Sequence, residues 1–447
     1  MSLGACRLKR RLLVIVVVLW VGLSLVGCGG SGASNRPPSR LKDRVLASQG
    51  VSAGFSFGGL VVINGLNDTL PSVAPLSAGT SPGLMATSPS RNIAIALDTG
   101  NAVTPSIFAV DATTESSMGH VQLPGPVSSI LVPTAQPVGY AAIPTASVPG
   151  FPVLGAVDAL NLTAGSITTT IGVSGAQTVI SNATGTQLLV FSTTSSVHSN
   201  SITVLAPELA VPPVDLSCST APNAVCQVIS GFDQPVFGII NGSTAYILNC
   251  GLECGGTQQA SVVIFDLNSL TITKTIPVDA ATFAVLSGTV LFVAGTPPTN
   301  NPCTGQTTAA TTCGRLDIVD LNAGTVIGTA VITDGYHDNM DFSNNGQLFI
   351  GSRHCTNIGD VNNPTGEVRG CLSIYDNATG KVIVPPDNGD VNGLQSFDTR
   401  YIEYVAEDGA LRVYDTTKDI LLINDFVPAG TINIVGFVGD VKAIDFF

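Results

Sequence analysis

The stretch SVVIFDLNSLTITKTIPV, residues 261–278, decides the fold. Val262 to Phe265 is a short, continuously apolar run, the pattern of a strand buried on both faces. Asp266 ends the run, a turn rich in polar residues follows, and Thr271 to Ile276 alternates Thr and Lys with Ile as a half-exposed outer strand would. The same unit returns in GRLDIVDLNAGTVIGTAVI (314–332), GCLSIYDNATGKVIV (370–384) and GALRVYDTTKDILLI (409–423). Weaker copies are SIFAVDATTESSMGHVQL (106–123), AVDALNLTAGSITTTIGV (156–173), SITVLAPELAVPPVDL (201–216) and GLVVINGLNDTLPSVAPL (59–76). The residue after the apolar strand is Asn64, Asp111, Asn161, Ala206, Asp266, Asp320, Asp376 or Asp415, a mean step of about 50 residues. A period of that size with four strands per unit predicts β-propeller blades. The Asp or Asn at the marker is a turn-former, because its side chain bonds backbone N–H groups two residues on, and Gly324 or Gly380 then supplies a positive φ.

The fold class is therefore all-β: a propeller of four-stranded blades, eight by repeat count, with seven the alternative because the copy at Ala206 is poor. Gly59 to Leu76 supplies only two outer strands, while Thr431 to Val435 and Val441 to Phe447 are apolar strands lacking outer partners. Pairing of the N- and C-terminal strands is expected to complete the eighth blade and hide both edges. The repeats resemble the YVTN-type β-propeller repeats of bacterial surface and secreted proteins over residues from about 58 to 447. They keep a V-x-D-x-x-T-like core without a literal Tyr-Val-Thr-Asn. The resemblance implies a binding or scaffolding surface more often than an enzyme. Similar lactonase-type propellers do catalyse, but no motif of theirs carries over onto numbered positions here.

Upstream of the repeats, Arg7, Lys9, Arg10 and Arg11 precede the apolar stretch Leu12 to Leu23, and Leu25-Val26-Gly27-Cys28 follows. This order resembles a bacterial lipoprotein signal, cut before Cys28, which then carries the lipid. The rival, a transmembrane helix, needs about 20 apolar residues, and Gly22, Ser24 and Gly27 interrupt this run. The expected organisation is a signal peptide over 1–27, lipidated Cys28 with a Gly/Ser/Pro-rich tether over 28–57, and the propeller over 58–447. Gly29 rather than Asp after the cysteine goes, in diderm lipoproteins that this one resembles, with outer-membrane delivery. Arg36, Arg40, Lys42 and Arg44 are read either as cations lying against anionic lipid or as part of a plain spacer.

Composition narrows the partners. Mean hydropathy is +0.41, yet past Gly27 the apolar residues come in strand-sized bursts and none spans a bilayer. Residues 1–44 hold eight Lys/Arg and one acidic residue, leaving 10 basic and 30 acidic residues in 45–447. A body that acidic repels phosphate, so nucleic acid is not an expected partner. Beyond Cys6 and Cys28, eight cysteines form four close pairs: Cys218/Cys226, Cys250/Cys254, Cys303/Cys313 and Cys355/Cys371. Local pairing in an exported chain predicts disulfides. Zinc, the rival, lacks a second ligand pair near Cys250-x-x-x-Cys254, and Cys355 has only His354 beside it.

Three of those pairs fall between the second and third strands of successive blades, on the face shared with the blade-to-blade connections. The later connections are polar and bring Asp233, Asp334, Tyr336, His337, Asp338, Asp387 and Asp390 toward one side of the channel mouth. Carboxylates at that density suit a polyhydroxylated ligand or Ca²⁺; ordinary turn chemistry is the plainer reading. His337 flanked by Asp334 and Asp338 has the composition of a general base, but no catalytic residue is assigned, and no P-loop, G-x-S-x-G or H-E-x-x-H motif occurs. The first functional reading is a lipid-anchored envelope propeller that binds or scaffolds a protein or carbohydrate. The alternative is an exported enzyme of lactonase or sugar-oxidising type, with its site at the channel mouth.

Overall fold

The turn that closes the outer hairpin of each blade shows how the repeat builds the structure. In this computed structural model, Asp111 Oδ1 accepts from the N–H groups of Thr113 and Thr114, Asp266 from Asn268 and Ser269, and Asp376 from Ala378 and Thr379. Asn161 and Asp320 do the same. Four residues past seven of the eight markers the backbone turns left-handed: φ is 59° at Asp68, 51° at Glu115, 64° at Gly165, 54° at Leu270, 64° at Gly324, 72° at Gly380 and 56° at Asp419. A bulge in the pairing follows in blades 2, 3, 5 and 6. Glycine is thus one solution among several at a position the turn geometry dictates.

The structure describes residues 36–51, 58–192, 200–207, 216–218, 225–298, 313–355, 370–385 and 389–445. They form eight antiparallel blades of at least four strands each. Blade 5 is representative: Pro235–Asn241, Thr244–Asn249, Ser261–Asp266 and Thr271–Pro277, innermost to outermost. The third strand is buried almost throughout and the fourth is exposed at six of seven positions, because only the middle strands are covered by neighbouring blades on both faces. Eight apolar clusters occupy the eight blade–blade junctions. One of them packs Val45, Val61 and Val441 of blade 1 against Tyr404, Leu411 and Val413 of blade 8, which closes the ring.

Closure differs in detail from the sequence expectation. The tail gives one strand, Val438–Ala443, not two, and it pairs with Arg44–Gln49, a segment assigned above to the tether. Gly59–Asn64 and Leu76–Ser77 complete blade 1. Thr431–Ile432 instead pairs with Ala410–Asp415 of blade 8, covering part of its third strand where the outer strand, Ile420–Leu421, is only two residues long. The reason is visible in the sequence: Leu46 and Ala47 are as apolar as any blade strand, but six residues flanked by charged neighbours read as linker.

The described chain begins docked. Arg36 Nη1 lies 2.7 Å from Glu115 Oε2, and Arg44 grips Asp445 through Nε at 2.8 Å and Nη2 at 2.7 Å. Burial works against the Glu115 charge, but hydrogen bonds from Ser39, Arg36 and Arg44 hold its carboxyl below the usual range. Two of the four tether cations are therefore consumed inside the propeller.

Blade 3 carries an addition that the repeat does not foretell. Leu216–Ser217, from the long third-to-fourth-strand connection of blade 4, pairs in parallel with the outer strand Ser166–Gly172 of blade 3. The Cys218–Cys226 disulfide pins it there, and an otherwise free sheet edge is covered.

Candidate functional site

Each inner strand enters from the face where the second-to-third-strand loops and the blade-to-blade connections lie. That face carries the Cys250–Cys254 and Cys355–Cys371 disulfides. Cys313 is also disulfide-bonded; Cys303, its expected partner, lies outside the described residues, as do Cys28 and Asp387.

The structure divides the expected ligand cluster into two groups. Asp233, Asp334 and His337 are buried. Asp233 Oδ2 accepts from the N–H groups of Thr257 and Gln258 at 2.9 and 2.6 Å, bracing the disulfide loop of blade 5. His337 is fully buried, its Nε2 lies 3.0 Å from the Thr333 carbonyl, and its Nδ1 has no partner. That contact makes Nε2 the protonated nitrogen, and burial drives the pKa down to about 4. A neutral imidazole without access to solvent cannot exchange protons with a ligand. Asp233 thus braces the blade 5 loop, and His337 lies against the Thr333 carbonyl.

The second group faces outward. Tyr336 opens the inner strand Tyr336–Phe342 of blade 7 and pairs with Arg353, the last residue of the neighbouring strand Gln347–Arg353. Alternation along the strand sends His337 inward, and a bulge between His337 and Asn339 then turns Asp338 back toward the Arg353 guanidinium, with which it forms an ion pair. Tyr336 is 45% exposed. Asp390 accepts from the His354 N–H at 2.8 Å, with His354 Nδ1 3.6 Å from its other oxygen. The structure thus brings together Tyr336, Asp338 and Asp390 of the expected set and adds Arg353.

Glu253 was missed by the sequence reading. It sits in the 3₁₀ turn Gly251–Cys254 inside the smallest disulfide loop and reaches into blade 6, where Oε1 accepts from the Thr296 N–H at 2.6 Å. A Cβ on Gly295 would lie 2.7 Å from Glu253 Oε2, so only glycine admits the carboxyl here. Thr296 in turn donates to the Gly335 carbonyl at 2.9 Å, tying blade 6 to the start of blade 7. Glu253 Oε2 is buried with no hydrogen-bond partner, and burial raises the carboxyl pKa to about 7 despite two backbone N–H donors. Burial also raises the Tyr336 pKa, opposed by Arg353 and assisted by Glu253, which places all three groups in one electrostatic neighbourhood. The available signal was a lone acid between two paired cysteines.

Among the described residues no group of three or more His, Cys, Asp or Glu side chains is arranged to hold a metal ion; of the expected aspartates, Asp233 accepts from the blade 5 loop, Asp338 pairs with Arg353 and Asp390 accepts from the His354 N–H. Nor, among them, is any helix long and apolar enough to cross a membrane.

Neither a protein-family model nor a curated protein matches the chain. Solved structures do. Dihydro-heme d1 dehydrogenase NirN, in complex with DHE, is similar over 93% of this chain and 78% of that one, with 11% identity and a TM-score of 0.58. The computationally designed protein Ika8 is similar over 84% of this chain and 98% of its own, with 9% identity and a TM-score of 0.51. A candidate 6-phosphogluconolactonase from Bacteroides fragilis is similar over 91% and 99%, with 12% identity and a TM-score of 0.49. At such identities the likeness shows the fold alone. The chain is a β-propeller.

Proposed function

We propose that this protein is a lipid-anchored propeller of the bacterial envelope that captures a ligand, a carbohydrate in preference to a protein, on the disulfide-braced face of blades 5 to 7. The observation that carries the reading is the grouping of exposed Tyr336 and Arg353 with Glu253, whose buried Oε2 has no partner. An aromatic ring offers a stacking surface, the Arg353–Asp338 pair offers donors and acceptors with no net charge, and a carboxyl near pH 7 does both. A neutral polyol matches that set better than an ion. The signal-like order of residues 1–28, with Gly29 after Cys28, and the disulfides support an envelope setting.

The test is a glycan array and thermal-shift screen on the full chain, since a ligand that binds only the folded state raises its melting temperature by mass action. Tyr336→Ala with Arg353→Ala should abolish capture and leave the unliganded melting temperature within about 1–2 °C of wild type, as exposed substitutions usually cost under about 0.5 kcal/mol each. Capture that survives the double substitution rejects the face.

A second reading, an exported enzyme of lactonase or sugar-oxidising type, is favoured by one feature. A carboxyl with a pKa of about 7 is matched to proton transfer near neutrality. It calls for turnover of a lactone or aldose panel that Glu253→Gln eliminates. No turnover across the panel removes it.

A further inference from the structure

The face opposite the Cys250–Cys254 and Cys355–Cys371 disulfides, formed by the third-to-fourth-strand turns, is where the described chain begins. Arg36 bonds the Ala74 carbonyl in the blade 1 connection as well as Glu115 in the blade 2 turn. Seven residues, 29–35, separate Cys28 from Arg36, and eight peptide steps reach at most about 29 Å. Climbing the side of a blade, about 20 Å for a six-residue strand, would use most of that length.

The same blade 1 connection exposes Leu66 and Leu70, at 55% and 42%. Arg400 of blade 8 donates to the Gly65 carbonyl and grips Asp68, so its neighbour Tyr401, 48% exposed, belongs to the same surface. Arg40 and Lys42 keep exposed side chains there, whereas Arg36 and Arg44 are spent on Glu115 and Asp445. Apolar side chains rimmed by cations, at the end from which the chain departs, are the chemistry of a lipid-headgroup interface.

We infer that the turn face around Leu66, Leu70 and Tyr401 rests on an anionic bilayer, with Arg40 and Lys42 against the headgroups, so that the disulfide-braced face points away from the membrane. The inference relies on the anchor at Cys28 proposed above. It assigns the partner as lipid because the tether length brings a bilayer to this face, where exposed Leu66, Leu70 and Tyr401 lie beside Arg40 and Lys42.

Hydrogen exchange by mass spectrometry on the full lipidated chain tests it, comparing phosphatidylglycerol/phosphatidylethanolamine vesicles with detergent micelles. Slower exchange in peptides covering 40–42, 66–72 and 399–402 on vesicles, with 250–258 and 334–338 unchanged, is the expected result. Arg40→Gln with Lys42→Gln should weaken docking about 30-fold, at about 1 kcal/mol per surface cation, and vesicles lacking phosphatidylglycerol should do the same. Protection of the disulfide face, or of neither face, overturns the inference while leaving the anchor intact. An intact mass showing no lipid on Cys28 overturns the anchor, and the docking with it.

Discussion

Replacing Asp419 with asparagine should raise stability, and more at pH 8 than at pH 4. Asp419 occupies the left-handed turn position of blade 8 at φ 56°, which asparagine tolerates as well as aspartate, so the backbone cost is unchanged. Its side chain is 8% exposed and Oδ1 is buried without a hydrogen-bond partner. Burial first, then the charges of Asp376 and Asp415, raises its pKa from 3.8 to about 6. A carboxyl raised in the folded state contributes stability that is fully present below the unfolded value of 3.8 and lost as pH rises through about 6. Two units correspond to about 3 kcal/mol, which solvent screening at a surface turn reduces to about 1–3 kcal/mol. Asparagine is neutral at every pH and does not suffer that loss. With roughly 2.1 cal/mol/K of unfolding entropy per residue, 1 kcal/mol moves the melting temperature of a chain this long by about 1 °C. Calorimetry should therefore find the variant about 1–3 °C above wild type at pH 8 and within about 0.5 °C at pH 4. An equal gap at both pH values, or a variant that melts lower at pH 8, refutes the reasoning.

Four more outcomes follow from the same geometry. Arg400→Ala strands the Asp68 carboxylate, whose side chain is fully buried and held by Arg400 Nη1 and Nη2 at 2.7 Å each; about 3–5 kcal/mol should be lost in urea unfolding. Tyr404→Phe removes one 2.6 Å hydrogen bond to the same carboxylate and should cost about 1–2 kcal/mol, so the reverse ranking would contradict the assignment. His337, with its pKa depressed to about 4, supports stability that is present above 6.5 and lost as pH falls through 4, so His337→Asn should flatten the melting profile between those values; an unchanged profile would place the acid sensitivity elsewhere. Cys218→Ser with Cys226→Ser should cost about 2–4 kcal/mol and speed exchange of the Gly172 amide as Leu216–Ser217 leaves the blade 3 edge; no acceleration there would mean the added strand holds without its disulfide.

The fold was largely legible because propeller blades write their period into local chemistry. The marker aspartates and asparagines at Asp111, Asn161, Asp266, Asp320 and Asp376 act through hydrogen bonds two and three residues away, which a sequence shows directly. Blade 4 lacked its marker at Ala206 because its third-to-fourth-strand connection is a 20-residue excursion rather than a turn, yet Ser201–Leu205 is buried at every position. What stayed hidden were pairings between distant segments: Arg44–Gln49 with the tail, Leu216–Ser217 with blade 3, and Thr431–Ile432 with blade 8. The site was half legible for the same reason. Composition located the polar connections, but which aspartate faces solvent depends on a single bulge at Asp338. Asp233 and Asp338 look alike in sequence, and one braces a loop while the other pairs with the exposed Arg353.

The seam between the chain ends owes its strength to more than strand pairing. Val438–Ala443 is the innermost strand of blade 1, so only one of its edges finds a ladder partner. Side chains of adjacent inner strands supply the missing bonds: Asp341 accepts from the Ser396 N–H, Gln395 from the Ala443 N–H, and Asp440 from the Met85 N–H. These links run from blade 7 through 8 and 1 to 2, across the seam. Asp440 also receives Lys442 Nζ at 2.8 Å, which gives a nearly fully buried carboxylate a cationic partner. Apolar clusters lie on both sides of blade 1, and both include tail residues, Val441 on one side and Ile444 on the other. A tail that merely added hydrogen bonds could fray; one whose side chains complete two hydrophobic junctions and satisfy a neighbour's backbone couples the first and last blades into the same cooperative unit.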